Sequence, residues 1–451
     1  MSQQRKLFGT DGIRGVAGEF PLDPRTIHAI GVALAHSLGA SHPSPHVLLG
    51  ADTRESSPWI AATIAHGLMS GGAAVENAGV ITTPGVAFLT RKHGFSAGIV
   101  ISASHNPWQD NGIKVFASDG YKLPDGVELG IEQEIYRRIE NGATPVTTPE
   151  LPPVDPKFVS EYQEFLHQAV SPLDLAGLRI VLDCANGASS AIAPDIFSQL
   201  GATVDVTHAA PNGRNINDHC GALHPQVVAA ETAAQGADVG ITFDGDADRA
   251  LLADRNGEVV NGDGVLLLAA RDLKRRGLLA GDLVVATTMS NMGLEAALRR
   301  DGIRMLRAPV GDKYVLEAMQ QQRASLGGEQ SGHILFPHLS TTGDGLLTAL
   351  VVLDIVRRAG KPLHELLADL KVFPQVIVNV KVKEKRPLAE IAAVAETIQR
   401  AEEDLKDNGR VVVRYSGTET LARVMIEAES QTAMQFHADR IAEAIRTELG
   451  I

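Results

Sequence analysis

Only two cysteines, Cys184 and Cys220, occur in 451 residues. That excludes a disulfide framework and fits a reducing compartment. Basic residues are outnumbered, leaving a formal net charge of −13. A nucleic-acid or acidic-membrane partner is therefore disfavoured. An anionic substrate would need a local cluster of Arg and Lys set against that field. No apolar run is long enough to span a bilayer; the longest, around Leu346 to Val356, is broken by Asp354. Met1 to Phe8 carries no apolar signal core. A soluble, cytoplasmic protein is expected, and a homodimer is compatible with the chain.

What is present is ample apolar material. Hydrophobic residues make up 44%, enough for several cores, and the length predicts two to four domains. A repeat emerges when apolar runs are aligned. Val47 to Gly50, Arg179 to Leu182 and Leu283 to Ala286 each lead into a small-residue or polar loop and then a helical pattern. Second strands follow near Ala74-Val75, Thr203 to Val206 and Arg304 to Leu306, and third strands at Gly98 to Ile101, Val239 to Thr242 and Ala324 to Leu326. Alternating strands and helices predict open α/β sheets, whose ligands sit beyond the carboxyl ends of strands.

The last part differs. Strands at Val376 to Val382, Val411 to Arg414 and Arg423 to Ala428, with helices at Leu388 to Leu405 and Thr432 to Leu449, make a small α+β unit after a hinge near Lys371. The fold class is thus three related α/β domains with mixed sheets plus a smaller C-terminal α+β domain around a central cleft. The expected boundaries are 1–150, 151–255, 256–370 and 371–451, with Gly142 to Pro156 as a linker.

A chemically distinctive loop follows each third strand. The first is Ser102-Ala103-Ser104-His105-Asn106-Pro107, with Lys114 a few residues on. A serine needs a base or a charge to become a nucleophile, and no Gly-x-Ser-x-Gly elbow is present. The second is Asp244-Gly245-Asp246-Ala247-Asp248-Arg249. Carboxylates spaced by two converge at a strand end but diverge on a helix. Three hard oxygens suit Mg²⁺. An EF-hand is excluded, because its glycine and glutamate positions hold Arg249 and Arg255. The third is Gly328-Glu329-Gln330-Ser331-Gly332-His333, a mixture of donors and acceptors suited to sugar hydroxyls.

Two further segments could hold phosphate. Arg414-Tyr415-Ser416-Gly417-Thr418-Glu419, with Arg423 beyond, combines backbone N–H groups, hydroxyls and guanidinium groups. Phe8 to Gly15 is a glycine-rich turn carrying Thr10 and Arg14 but lacking the Walker A ending. Lys313 is a third candidate. Each motif alone also admits a plain reading: a capped turn, a solvated acidic turn, a flexible loop, a hairpin with surface arginines or an exposed lysine.

Together, and in this order over essentially the whole chain, the motifs resemble the α-D-phosphohexomutase family. That resemblance implies that Ser104 carries a phosphoryl group and that Asp244, Asp246 and Asp248 hold Mg²⁺ with it. Glu329, Ser331 and His333 would read the sugar. Thr10, Arg14, Arg249 and Lys313 would support binding, and Arg414, Ser416, Gly417, Thr418 and Arg423 would grip the phosphate that is not transferred. His105, Lys114 and His333 become candidates for proton transfer. Phe8 to Gly15 and Gln330 look most like the amino-sugar branch. The implied activity is interconversion of glucosamine 6-phosphate and glucosamine 1-phosphate through glucosamine 1,6-bisphosphate. Phosphomannomutase or phosphoglucomutase activity is the alternative. Two departures stand out: Thr420 where relatives carry proline, and Ala247 where they often carry glycine.

Overall fold

The computed structural model describes residues 7–140, 150–416 and 420–450. Most of the expected Gly142 to Pro156 linker therefore lies outside the described residues. The first sheet contains β1 (Phe8–Gly9), β2 (Gly12–Val16), β3 (His46–Ala51), β4 (Ala74–Val80), β5 (Ala97–Ile101) and β6 (Asp110–Ala117). The second contains β7 (Arg179–Asp183), β8 (Thr203–Thr207), β9 (Val239–Phe243), β10 (Ala250–Asp254) and β11 (Val259–Val260). The third contains β12 (Leu283–Thr287), β13 (Arg304–Ala308), β14 (Gly327–Gly328) and β15 (Ile334–Leu335). The fourth contains β16 (Gln375–Lys381), β17 (Gly409–Tyr415) and β18 (Leu421–Ala428).

The topology bears out the repeat. The parallel strands run in the order β5-β3-β4, β9-β7-β8 and β14-β12-β13, and an antiparallel strand follows on the same side in every unit: β6, β10 and β15. The central strands β5, β9 and β12 are buried along their whole length. Sheets covered on both faces need such continuous apolar runs. The fourth sheet is antiparallel, in the order β16-β18-β17, and backs onto helices Ala392–Leu405 and Gln431–Leu449.

Two expected elements move. The third strand of the third unit is Gly327–Gly328, not Ala324 to Leu326; Gly327 pairs with Val285 and Gly328 with Ala286. Glycine has no strand preference, so the apolar pattern drew attention to the residues just before the pairing. The expected helix from Leu388 is split. A 3₁₀ turn at Leu388–Glu390 gives way to an extended Ile391 (φ −98°, ψ 96°) before the helix proper.

A buried pair joins the second and third units. Asp344 caps helix Gly345–Ala359, accepting from Leu347 N at 3.0 Å, while Tyr162 Oη donates to it at 2.8 Å. Burial pushes this carboxyl up from its ordinary 3.8 to about 6. A raised pKa means that the folded state holds a proton the unfolded state has released. The stabilisation is complete below about pH 4 and is lost as pH rises through about 6. That difference sets an upper bound of about 3 kcal/mol. Asp344→Asn keeps a cap acceptor and removes the titration. We expect the difference in thermal midpoint between pH 5 and pH 7.5 to shrink in that variant; an unchanged difference would exclude Asp344 as its source.

Candidate active site

The three chemical loops converge through side chains at strand ends. Ser104 follows β5, is 1% exposed, and sits in left-handed backbone at φ 54°. A non-glycine residue there is strained and needs surrounding structure to hold it. That structure is dense. Ser104 N donates to Ser102 Oγ at 2.9 Å, which donates to Asp52 Oδ2 at 2.7 Å. The Ser104 carbonyl accepts from Arg54 Nη2 and Asn217 Nδ2, each at 2.9 Å. Ser104 Oγ lies 2.5 Å from Asp244 Oδ2 and 3.2 Å from His105 Nδ1.

Asp244, Asp246 and Asp248 follow β9, all buried, with one oxygen of each lying within 4.8 Å of the others. Gly245 permits the approach: a Cβ there would lie 2.5 Å from Ser104 O. Ala247 sits at φ 54°, so the residue standing where relatives often carry glycine costs about 1–2 kcal/mol of backbone strain. Burial, then Asp248 and Asp246, push the Asp244 carboxyl well above the usual carboxylate range. Asp246 Oδ1 and Asp248 Oδ1 are buried without a hydrogen-bond partner among the described residues. Three clustered carboxylates with two orphaned inward oxygens fit a hard divalent cation.

Lys114, from β6, faces the same cluster, 2.8 Å from Asp246, 3.1 Å from Asp248 and 3.0 Å from Asp11. Burial opposes its charge, but these three carboxylates raise its pKa well above the ordinary lysine value. It is a fixed cation. His105 differs: burial, then Arg249 and Arg14, push it down to about 4, so the imidazole is neutral near pH 7. Arg249 N donates to Asp244 Oδ1 at 3.1 Å. Arg14 reaches Asp11 at 2.5 Å and Asn106 at 3.4 Å, joining the first turn to the serine loop. Thr10 is exposed in that turn.

In the third loop, His333 Nδ1 lies 3.6 Å from Asp248 and Nε2 lies 3.8 Å from Asp312. Burial disfavours its charge, but Asp248, Asp312 and Glu329 raise its pKa overall. Glu329 accepts from Gly311 N at 2.9 Å and from Ser331 Oγ at 3.2 Å. Gln330 turns the other way, donating to Asp263 Oδ2 at 3.1 Å; that oxygen also accepts from Asn291 N at 2.8 Å. Lys313 pairs with Asp125, beside a 430 Å³ cavity that His333 also lines.

Arg414 and Arg423 stand on β17 and β18 as directly opposed residues. Opposed residues of an antiparallel pair share one face of the sheet, so the two arginines flank the loop at Ser416 on the same side. Ser416 is buried, its N donating to Leu421 O at 2.9 Å and its carbonyl accepting from Lys385 Nζ at 2.7 Å. Gly417 and Thr418 lie outside the described residues.

Several members of the network escaped the sequence reading: Asp11, Asp52, Arg54, Asn217 and Asp312. Asp52 and Arg54 directly follow β3, so the rule that ligands gather beyond carboxyl strand ends pointed to them.

Comparison with known proteins covers nearly the whole length. The alpha/beta/alpha domains I, II and III of phosphoglucomutase/phosphomannomutase match residues 5–142, 157–257 and 261–373, and its C-terminal domain matches 377–444. A phosphoglucosamine mutase of Koribacter versatilis is 60% identical, covering 99% of this chain and 98% of its own. That of Solibacter usitatus is 53% identical over 99% of both. A Burkholderia thailandensis phosphoglucomutase/phosphomannomutase family protein has a similar fold, with a TM-score of 0.77 at 24% identity over 99% of both chains. Aspergillus fumigatus N-acetylphosphoglucosamine mutase, solved with GlcNAc-6P and magnesium, aligns with a TM-score of 0.61 at 20% identity, over 98% of this chain and 96% of its own. Among the described residues, no helix is long and apolar enough to cross a membrane.

Proposed function

Because the chain belongs to the phosphoglucomutase/phosphomannomutase family, we propose that it interconverts glucosamine 6-phosphate and glucosamine 1-phosphate. The substrate follows the names of its 60% and 53% identical relatives. The observation that carries the chemistry is Ser104 Oγ, 2.5 Å from one buried carboxylate of a cluster whose other two members keep orphaned oxygens.

In this reading Ser104 bears the phosphoryl group. The sugar C1 hydroxyl attacks that phosphorus, the bond to Ser104 Oγ breaks, and the hydroxyl proton passes to a neighbouring base. The product, glucosamine 1,6-bisphosphate, turns within the cleft. Ser104 Oγ then takes back the phosphoryl group from C6, and the proton returns to the departing sugar oxygen. Asp244, Asp246 and Asp248 would hold Mg²⁺, which when bound neutralises phosphoryl oxygens in transfer. Lys114 adds a fixed positive charge on the same side. His105 Nδ1, 3.2 Å from Ser104 Oγ, is placed to hold a proton there. Glu329, Ser331 and His333 orient the sugar.

Arg414 and Arg423, with the loop at Ser416 to Thr418, would bind the phosphate that is not reacting. Arg423→Ala is expected to raise KM at least about tenfold with a smaller fall in kcat, since a charge-assisted contact of this kind contributes about 1.5–3 kcal/mol. An unchanged KM would remove Arg423 from that role.

The defining experiment is turnover with Mg²⁺ on the 6-phosphates of glucosamine, glucose and mannose, each primed with its 1,6-bisphosphate. We expect glucosamine to be strongly preferred. Preference for glucose or mannose would keep the mechanism and overturn the substrate.

A further inference from the structure

A second cluster of ligating side chains lies in the middle unit, outside the acidic triad. Asp183 ends β7, His208 directly follows β8, and Cys220 precedes the turn at Gly221–Leu223. One carboxylate oxygen, one ring nitrogen and the sulfur lie within 4.8 Å of one another.

Each group is prepared for a ligand in a different way. The Asp183 carboxylate is fully buried. Its Oδ2 accepts from Gly221 N at 2.8 Å and Thr242 Oγ1 at 3.2 Å, and its Oδ1 accepts from Ala185 N at 2.9 Å. An ionised carboxylate has about four acceptor sites. Three are filled by donors that fix its orientation, and the remaining one faces His208 Nδ1 at 3.3 Å; that nitrogen also lies 3.2 Å from Thr207 Oγ1, a contact the ion would replace. Carboxylates that ligate a metal are usually oriented by hydrogen bonds of this kind. Cys220 is 0% exposed, and among the described residues its sulfur accepts one long contact, 3.9 Å from Asn186 Nδ2. The His208 side chain is 29% exposed and provides an entry path.

We propose that Asp183, His208 and Cys220 form a second metal site, selective for a borderline-soft divalent ion of the zinc class, with water in the fourth position. The donor set of one O, one N and one S is that of zinc rather than of magnesium. Tetrahedral zinc places such ligands about 3.3–3.5 Å apart. The Asp183–His208 pair already has that separation, at 3.3 Å, and the Cys220 sulfur lies within 4.8 Å of both. Binding uses the Nδ1 lone pair of neutral His208 and one Asp183 oxygen, and displaces the Cys220 thiol proton to solvent; no atom changes oxidation state.

The site touches the chemistry indirectly. Cys220 shares a loop with Asn217, whose Nδ2 donates to the carbonyls of Ser104 at 2.9 Å and Asn106 at 3.2 Å. A bound ion ties that loop to the ends of β7 and β8 and so stiffens the support of the serine loop.

The test is titration of the full-length protein with Co²⁺ in excess Mg²⁺, following sulfur-to-cobalt charge-transfer absorption. The acidic triad has no sulfur and cannot produce this band. We expect the band to saturate at one equivalent, to strengthen with rising pH, to vanish in Cys220→Ser and to persist in Ser104→Ala. His208→Gly should weaken the apparent affinity at least tenfold. It guards against misfolding in the cysteine variant, because His208 has φ 46°, a conformation glycine adopts freely. No band in the parent protein, or a band that either Cys220→Ser or His208→Gly leaves intact, overturns the proposal.

Discussion

Ser104→Ala is expected to lower mutase turnover by at least about a thousandfold, roughly 4 kcal/mol of transition-state stabilisation, while leaving the thermal midpoint near that of the parent. The argument for the first part is chemical. Alanine has no oxygen to carry the phosphoryl group, and the neighbouring hydroxyls are committed elsewhere: Ser102 Oγ to Asp52 at 2.7 Å, and Thr83 Oγ1 to Asp246. The second part follows from the hydrogen bonds. The bonds that hold the serine loop run through the backbone of residue 104, to Ser102, Arg54 and Asn217, and alanine keeps all of them; only the side-chain contacts to Asp244 and His105 are lost. Incubation with the 1,6-bisphosphate followed by intact mass measurement checks the same point independently of turnover. The parent should gain one phosphoryl group and the variant none. A purified variant with parental turnover would end the phosphoserine reading.

The residues that were legible from sequence share one property: their chemistry is unusual in a loop. Three aspartates spaced by two, or a serine, a histidine and a lysine after an apolar strand, stand out from ordinary turns. The strands around them were legible because central strands of a covered sheet are continuously apolar. Gly327–Gly328 was not, because its strand character comes from pairing with β12 and not from its side chains. Residues whose role is to hold others were also hidden. Nothing in Asp52-Thr53-Arg54 reveals that the guanidinium turns inward, since arginine is normally exposed. Gln330 separates lineage from contact. Its identity suggested the amino-sugar branch, yet its side chain reaches Asp263 and, through it, the start of helix Met292–Arg300. Identity can mark a lineage without marking a contact.

Arg54→Lys is the test of that hidden support, and its expected effect is large on both stability and rate. The Arg54 side chain is 0% exposed. Its five N–H donors find five acceptors. Nε donates to Asp52 Oδ2 at 2.8 Å, Nη1 to the carbonyls of Pro107 and of Asp110 (the latter at 3.0 Å), and Nη2 to those of Ser104 and Asn106, each at 2.9 Å. Four of these bonds hold the segment from Ser104 to Asp110. Lysine keeps the charge but has three donors on a single nitrogen, so it cannot reach both sides of the fork. At least two of these acceptors lose their bond to the guanidinium, and a hydrogen bond to a charged group contributes about 1.5–3 kcal/mol; Asn217 still serves the carbonyls of Ser104 and Asn106. We therefore expect a loss of about 2–5 kcal/mol in the unit that contains Ser104, read as a lowered first transition in calorimetry. Turnover should fall about a hundredfold, because Ser104 is kept in its strained conformation by the contacts that lysine loses. The pattern separates this role from that of the nucleophile: Ser104→Ala loses mainly rate, Arg54→Lys loses both rate and stability, and the remaining turnover of Arg54→Lys should still depend on Ser104. A lysine variant with parental midpoint and rate would show that the loop holds its shape without the guanidinium.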